Sequence, residues 1–352
     1  MSAALKLFAE LGHERLILLQ DPGVGLKAVI SIHDTTLGPA IGGTRMRLYP
    51  TFEDAVEDAL RLSRAMTSKA TFAGMACGGG KAVIFGDPAR EKTPELLTAY
   101  ARAVEELDGK FNTGCDMGIT ITDLAIMARV TRHVGHTPSS SRYDASDLTA
   151  IGVVAAMRAV CARLGKPLSD CTIALQGVGE VGGRLAARLA GEGARLVLAD
   201  ALSERAEAVA RATGARQIGA DDILVLPCDL FSPNAGGGAI SESVAAALPC
   251  RAVVGAANNP LASNRAGEIL AERGILYAPD YVANAGGLLS VLFEQGHLDE
   301  DGVVRRVERI GADLSALFDE AEATGTPPFQ LAAERVAQKL SAARAAAAER
   351  HP

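Results

Sequence analysis

The chain has 352 residues, 48% of them hydrophobic and 22% charged, and a formal net charge of −7 at pH 7. That length suits about two domains, and the composition calls for a packed core rather than disorder. A net-negative chain without a basic cluster is a poor partner for a nucleic-acid backbone, and no apolar run reaches the roughly 18 residues of a membrane-spanning helix.

The N-terminal stretch MSAALKLFAELGHERL alternates apolar and charged residues at helical spacing. It lacks the basic start, long apolar core and small-residue cleavage site of a signal peptide. LKAVIS (Leu26–Ser31) is predicted as a strand, GPAIGGTRM (Gly38–Met46) as a glycine-bearing loop, and Phe52–Met66 as a helix with acidic residues in its first turn. KAVIFGDP reads as a short buried strand stopped by a turn, Thr93–Leu107 as a second amphipathic helix, and NTGCDMGIT as a polar turn. GHTPSSSRYDASD (Gly135–Asp147) is the expected linker.

Beyond it, LTAIGVVAAMRAVCARLG is expected to be helical. CTIALQG, ARLVLAD, CDLFSPNA, RAVVGAANNP and GILYAPDYVANAGG supply short buried strands ending in polar or glycine-rich loops. This order fits a doubly wound α/β domain with a parallel sheet. Val303–Arg350 reads as helices. The six cysteines (Cys77, Cys115, Cys161, Cys171, Cys228, Cys250) form no C-x-x-C pair, as expected of free, reduced, mostly buried thiols in a cytoplasmic protein. The six histidines (His13, His33, His133, His136, His297, His351) show no H-x-x-x-H pattern. No carboxylate partner for His133 or His136 is evident nearby, so all six are read as structural, with no metal site.

TIALQGVGEVGGRL places Gly177, Gly179 and Gly182 in G-x-G-x-x-G spacing, after a strand (Thr172–Leu175) and before a helix (Arg184–Ala190). A second strand then ends in Asp200, 23 positions after Gly177. That is the full context of a dinucleotide fingerprint. The first glycine permits the tight turn, the second lets backbone approach the pyrophosphate, and the third lets helix and strand pack closely. Asp200 can bind both ribose hydroxyls and would repel a 2′-phosphate, which favours NAD over NADP.

CGGGKAVIF is not a phosphate loop, because position 75 is Met where the motif needs Gly and position 82 is Ala where it needs a hydroxyl. Lys69 lies 12 residues before Lys81, and Asp116 sits in the turn TGCDMG. Beside a dinucleotide site, two lysines and a carboxylate suit chemistry on an amino or keto acid. One lysine can hold the substrate carboxylate as a point charge. The other, crowded and partly desolvated, can act as a base. The carboxylate can shuttle a proton, and the glycines beside Lys81 are expected to let ligands approach the backbone.

IHDTTLGPAIGGTRM, EDALRLSRAMTSKA, CGGGKAVIFGDP, TGCDMG, LQGVGEVG, GAANN and YAPDYVANAGG, in this order, resemble the Glu/Leu/Phe/Val amino acid dehydrogenase family over nearly the whole chain. They are most similar to its leucine and phenylalanine branch. The resemblance implies an α/β fold of two domains around a cleft. Residues 1–140 would be a substrate-binding and oligomerisation domain. Residues 141–352 would be a Rossmann NAD-binding domain whose C-terminal helices can pack back on the first.

It implies NAD-dependent, reversible oxidative deamination of an apolar L-amino acid to the 2-keto acid and ammonia, in a cytoplasmic homo-oligomer that is at least a dimer. By the same resemblance Lys69 binds the substrate carboxylate, helped by backbone at Gly43, Lys81 is the general base, and Asp116 assists proton transfer. Asn259 or its neighbour Asn258 touches substrate, and Ile41, Gly114, Leu288 and Val291 line the side-chain pocket. Gly114 resembles phenylalanine enzymes, while Ile41 and Val291 pull towards branched aliphatic substrates. The implied cofactor set is Gly177, Val178, Gly179, Glu180, Val181, Gly182, Asp200, Thr149, Asn234 and Ala257.

Two stretches depart from relatives: SSSRYDASDL in the linker, and SPNAGGG, with Asn234 where an apolar residue or cysteine is usual. Two competing readings are a regulatory NAD-binding protein that has lost turnover, and a 2-hydroxy-acid dehydrogenase. The first is opposed by the retained lysines and aspartate. The second is opposed by the lack of a His–carboxylate pair with an Arg at strand ends.

Overall fold

The computed structural model describes residues 3–135 and 141–350. The linker reading over residues 136–140, the domain boundary at 140, His136 and His351 lie outside the described residues. The chain divides into two compact units, residues 1–138 with 336–352, and residues 139–335.

In the first unit α1 (Ala3–Leu11) is followed by β1 (Arg15–Asp21), β2 (Leu26–Asp34), β3 (Ala40–Ile41) and β4 (Thr44–Arg47). Then come α2 (Phe52–Phe72), β5 (Gly78–Phe85), α3 (Pro94–Glu105), β6 (Phe111–Asn112) and α4 (Ile121–Met127). The sheet runs β1-β2-β5-β3-β6, and β4 also pairs with β5. β2 pairs antiparallel with both β1 and β5, whereas β3 and β4 lie parallel to β5. The segment expected to be a loop thus holds two short strands. Their glycines and short length hide them in the sequence, and they exist because β5 offers pairing partners on both sides of the Ile41–Thr44 gap.

Alternation along β2 divides the core. Ala28, Ile30 and Ile32 pack with Tyr100 and Phe111 on one face. Val29 packs on the other with Val83 and with Val56, Ala59 and Leu60 of α2. The N-terminus of α2 is fixed by a reciprocal capping box between Thr51 and Asp54, with Glu53 and Asp54 in its first turn. Such a cap is worth about 1 kcal/mol. The helix runs six residues past the expected end at Met66, so Lys69 lies inside its last turn. α3 begins at Pro94 behind an N-capping Thr93.

The second unit holds α5 (Ala145–Arg163), β7 (Thr172–Gln176), α6 (Glu180–Gly191), β8 (Arg195–Ala199), α7 (Ser203–Thr213), β9 (Arg216–Gln217), β10 (Cys228–Pro233), β11 (Cys250–Val253) and β12 (Leu276–Tyr277). All its strand pairs are parallel, in the order β12-β11-β10-β7-β8-β9. The order reverses between β7 and β10, the place where doubly wound sheets bind ligands. α5 is long and apolar enough to cross a membrane by length and composition, but most of it is buried. It packs against α6 and the helices Gly286–Leu289 and Ile310–Thr324 as a core helix of the unit.

Candidate active site

The first site is built on β5. In a strand alternate residues share a face, so Gly79, Lys81 and Val83 all look towards α2. A Cβ on Gly79 would lie 2.1 Å from the Thr67 backbone nitrogen and 2.5 Å from the Ser63 carbonyl oxygen. Glycine therefore lets α2 seat its backbone on β5, one turn before Lys69 and two residues before Lys81. Gly78 and Gly80 are equally constrained. A Cβ would meet the Asp34 carbonyl at 1.8 Å from Gly78 and the Phe111 ring at 2.6 Å from Gly80. All three glycines are buried. They admit protein, not ligand, to the neighbourhood of Lys81, which corrects the expectation that they open the backbone to substrate or cofactor.

Lys69 and Lys81 are both buried, at 8% and 6% relative exposure. Lys81 is ion-paired with Asp116. Burial, and then the Arg45 guanidinium, hold the Lys81 pKa well below that of an ordinary lysine; Asp58 opposes this, and Lys69 adds further repulsion. The direct pair with Asp116 also favours the ammonium. We place the net direction downward, because that carboxylate is shared: Arg45 Nη2 lies 3.4 Å from Asp116 Oδ1.

β4 delivers these groups together. The Thr44 N–H donates to the Gly114 carbonyl at 2.9 Å and the Met46 N–H to the Met117 carbonyl at 2.8 Å, so the 114–117 turn runs alongside β4. Gly118, at φ +81°, closes that turn where a Cβ would sit 2.1 Å from the Met46 carbonyl. Arg45 also donates to Asp58 Oδ2 at 2.8 Å, which accepts the Tyr49 hydroxyl at 2.6 Å. Sequence reasoning missed Arg45, Asp58 and Tyr49. The available signal was the arginine two residues after Gly43, but its partners come from three separate elements.

Ile41 is half-buried and pairs with Gly79 and Asn112 across the sheet. At Gly43 a Cβ would meet the Cys115 carbonyl at 2.4 Å, whereas at Gly114 the nearest atom, the Gly135 oxygen, is 4.0 Å away. Gly114 thus leaves room that a methyl group would fill. Lys69, Lys81, Asp116, Gly43, Ile41 and Gly114 all belong to the first unit.

The histidines of this unit are tied into structure. His13 Nε2 contacts the Leu60 carbonyl and Ser63 Oγ, both at 3.0 Å, and burial pushes its pKa down to about 4. His33 Nδ1 contacts Thr67 Oγ1 at 2.8 Å. His133 does have a carboxylate neighbour, Glu105 at 3.9 Å, which the sequence hid because Glu105 comes from α3.

In the second unit the fingerprint glycines play three different parts. Gly177 has φ +90°, and a Cβ there would meet Ala235 at 2.9 Å. At Gly182 a Cβ would lie 2.2 Å from the Gly177 carbonyl. At Gly179 a Cβ would meet only the Arg205 Nη1, the end of a flexible side chain, at an ordinary contact distance of 3.8 Å. The second glycine therefore leaves the space a pyrophosphate needs, at the N-cap of α6. Gln176 Oε1, at the head of the loop, is buried without a partner. Asp200 Oδ2 accepts the Val178 N–H and Oδ1 the Leu202 N–H, both at 2.9 Å. These residues fit a dinucleotide. Glu180 and Val181 form the first turn of α6.

Asn234 uses its side chain on the protein itself. Oδ1 accepts the Ala256 N–H at 2.9 Å and Nδ2 donates to the Ser232 carbonyl at 2.9 Å, stitching the ends of β10 and β11. Ala257 is buried. Asn259 has φ +50°, and its N–H donates to Asp280. Asn284, which sequence reasoning passed over, donates to the carbonyls of Ala256 and Ala257 and to Asn258 Oδ1 at 3.1–3.2 Å, fixing this loop. Thr149 Oγ1 donates to the Ala145 carbonyl in the first turn of α5. Leu288 is buried and Val291 half-buried.

Residues 13–133 match the Glu/Leu/Phe/Val dehydrogenase dimerisation domain, and residues 198–347 match the glutamate/leucine/phenylalanine/valine dehydrogenase model. The chain is 40% identical to a leucine dehydrogenase of Thermoactinomyces intermedius, over 93% of this chain and 90% of that one. It is 42% identical to a valine dehydrogenase of Streptomyces albus, over 95% and 94%. Among solved structures, L-tryptophan dehydrogenase from Nostoc punctiforme superposes with a TM-score of 0.78 at 36% identity, covering 97% and 99% of the two chains.

Proposed function

Because the chain belongs to the Glu/Leu/Phe/Val dehydrogenase family, we propose how its residues carry out the family's reaction. The protein is an amino acid dehydrogenase that oxidatively deaminates an apolar L-amino acid to the 2-keto acid and ammonia. The observation that carries the residue assignment is the pairing of buried Lys81 with half-buried Asp116, with Arg45 and Lys69 beside it.

Lys69 holds the substrate carboxylate as a buried point charge, with the Gly43 backbone beside it. Lys81, neutral at a lower pH than an ordinary lysine, takes a proton from the water that adds to the substrate's imine carbon. Asp116 carries a proton to or from the substrate nitrogen. When Lys81 is neutral, Arg45 remains as the cation beside Asp116, so the half-buried carboxylate keeps a counter-charge. The second unit holds NAD through the 177–182 loop and Asp200. When bound, the nicotinamide ring supplies the acceptor for the α-hydrogen as hydride. Within the first unit, Ile41 and Gly114 are proposed to face the substrate side chain.

The assembly is a homo-oligomer, at least a dimer. β1 is an edge strand with Leu18 61% exposed, inside the region that matches the dimerisation domain. All six cysteines are free thiols, which supports a reducing, cytoplasmic setting.

The test is NADH formation by purified protein with Leu, Val, Ile, Phe, Trp, Met, Glu and Ala. Turnover is expected on the branched or aromatic members and not on Glu. Silence on every apolar amino acid, with the dinucleotide still bound, sinks the reading.

A further inference from the structure

We propose that Asp58 and Tyr49 are positioning residues for the reaction: they hold the Arg45 guanidinium back from Asp116, so that this carboxylate stays free to exchange a proton with the substrate nitrogen. The inference rests on the dehydrogenase reading and on the roles given there to Lys81 and Asp116.

An arginine beside a carboxylate ordinarily closes on it as a two-pronged fork, with N–H···O distances of about 2.7–2.9 Å. Arg45 does not do this with Asp116. A single nitrogen, Nη2, faces both Asp116 oxygens, at 3.4 Å and 3.5 Å. Its short bond goes the other way, from Nη1 to Asp58 Oδ2 at 2.8 Å. The same Asp58 oxygen accepts the Tyr49 hydroxyl at 2.6 Å. Burial, and then Asp58, push the Tyr49 pKa up, so that hydroxyl stays a donor. The Arg47 guanidinium lies over the Tyr49 ring, 4.9 Å from its centroid, and holds it in turn.

The Arg45 Nε gives a second sign of restraint. It is buried and meets no hydrogen-bond partner among the described residues. Such an unmet donor costs free energy. A guanidinium free to turn could pair Nε and Nη2 with Asp116 and satisfy it. The restraint comes from separate elements: Arg45 lies in β4, Tyr49 follows that strand, and Asp58 stands on α2. β4 is itself paired along β5, and the start of α2 is fixed by its capping box.

The consequence falls on Asp116. Its Oδ1 accepts the Met117 N–H at 2.5 Å, and its Oδ2 is paired with Lys81. A forked Arg45 would set a permanent cation on both oxygens and displace Lys81. A carboxylate held that way strongly favours its charged form and is a poor proton carrier. Asp58 therefore acts through Arg45 and does not itself meet the substrate.

The test is steady-state kinetics of the full chain on an apolar amino acid that it turns over, read at the high-pH plateau where Lys81 is already neutral. The charged groups that bear on Lys81 are Arg45, Asp58, Lys69 and Asp116, and the plateau takes their effect on its titration out of the comparison. Asp58→Asn should lower the plateau kcat about tenfold or more, a part of what acid–base catalysis is worth, with KM changed less than about threefold. Tyr49→Phe should lower it about two- to tenfold, the scale of one hydrogen bond. Adding Arg45→Gln to either variant should bring kcat back to within about threefold of Arg45→Gln alone, since no guanidinium is left to restrain. If Asp58→Asn fails to fold, the Tyr49→Phe cycle decides. Additive losses in the double variants would mean a merely structural role and overturn the proposal. So would an Asp58→Asn that moves only the pH inflection, or an Arg45→Gln as slow as Asp58→Asn. A wild type silent on every apolar amino acid overturns the dehydrogenase reading itself. That outcome is distinct, because in every other one the wild type still turns over.

Discussion

Two glycine-rich segments, one in each unit, look alike in sequence and do opposite things. In β5, Gly78, Gly79 and Gly80 are all backed by protein: the Asp34 carbonyl, the α2 backbone and the Phe111 ring fill the directions their side chains would take. In the 177–182 loop, Gly177 and Gly182 are likewise filled by protein, but a Cβ at Gly179 would meet only the flexible Arg205 side chain, at 3.8 Å. A glycine beside a functional group can thus serve to bring two protein segments together or to leave room for a ligand. The sequence does not say which. Lys81 is perturbed because packing around β5 buries it and sets the Arg45 guanidinium beside it, with Lys69 a lesser neighbour. The 177–182 loop differs in that only a flexible side chain stands over its middle glycine.

The largest effect expected is at the lysines. Lys81→Ala should lower kcat by about 10²–10⁴-fold, the usual worth of a general base, while dinucleotide binding measured by titration stays unchanged. Lys69→Ala should act chiefly on KM. Near-normal turnover by Lys81→Ala would falsify the assignment of the base.

The two kinds of glycine can be separated directly. Gly79→Ala puts a methyl group 2.1 Å from the Thr67 nitrogen and should cost about 1–3 kcal/mol or more through overpacking. It should appear as a lower melting temperature, together with a raised KM as α2 and Lys69 shift. Gly179→Ala should leave the melting temperature within error and weaken dinucleotide binding. If both variants lost stability alike, the contrast between the segments would collapse.

The pH dependence sharpens the electrostatic side. Lys81 has a lowered pKa, so its neutral form, and with it kcat/KM, should rise with pH around an inflection below the ordinary lysine value. Arg45→Gln removes a cation that pushes this pKa down, so the inflection should move to higher pH, and Arg45→Lys should restore part of the difference. The linked stability has the same sign. Between the depressed folded pKa and the ordinary unfolded one, the unfolded chain binds more protons, so stability contributed here rises with pH and is lost as pH falls. An unmoved inflection in Arg45→Gln would remove Arg45 from the account.

The smallest effect should come from Gly114→Ala. With no atom closer than 4.0 Å to the new methyl, stability should hold. Relative kcat/KM should shift from aromatic towards branched aliphatic amino acids, by up to the about 1–3 kcal/mol that one methylene is worth. An unchanged substrate ranking would place Gly114 outside the pocket.

By itself the sequence determined the fold class, the succession of strands and helices along the second unit and the residues proposed as reacting groups. Strand runs such as TIALQ and RLVLA, the spacing of Gly177, Gly179 and Gly182, and the family motifs around Lys69, Lys81 and Asp116 are local signals, written in adjacent residues. What it could not determine were the features made by contacts between distant segments. β3 and β4 are too short to show a period, and exist through pairing with β5. α2 ran past Met66 because Ala70, in its last turn, is buried by the fold. Arg45 meets Asp58 and Asp116, 13 and 71 residues away, and Arg205 meets Asp200 only across a helix turn. Electrostatic neighbourhoods depend on distances of a few ångströms and on burial, and tertiary packing alone decides both.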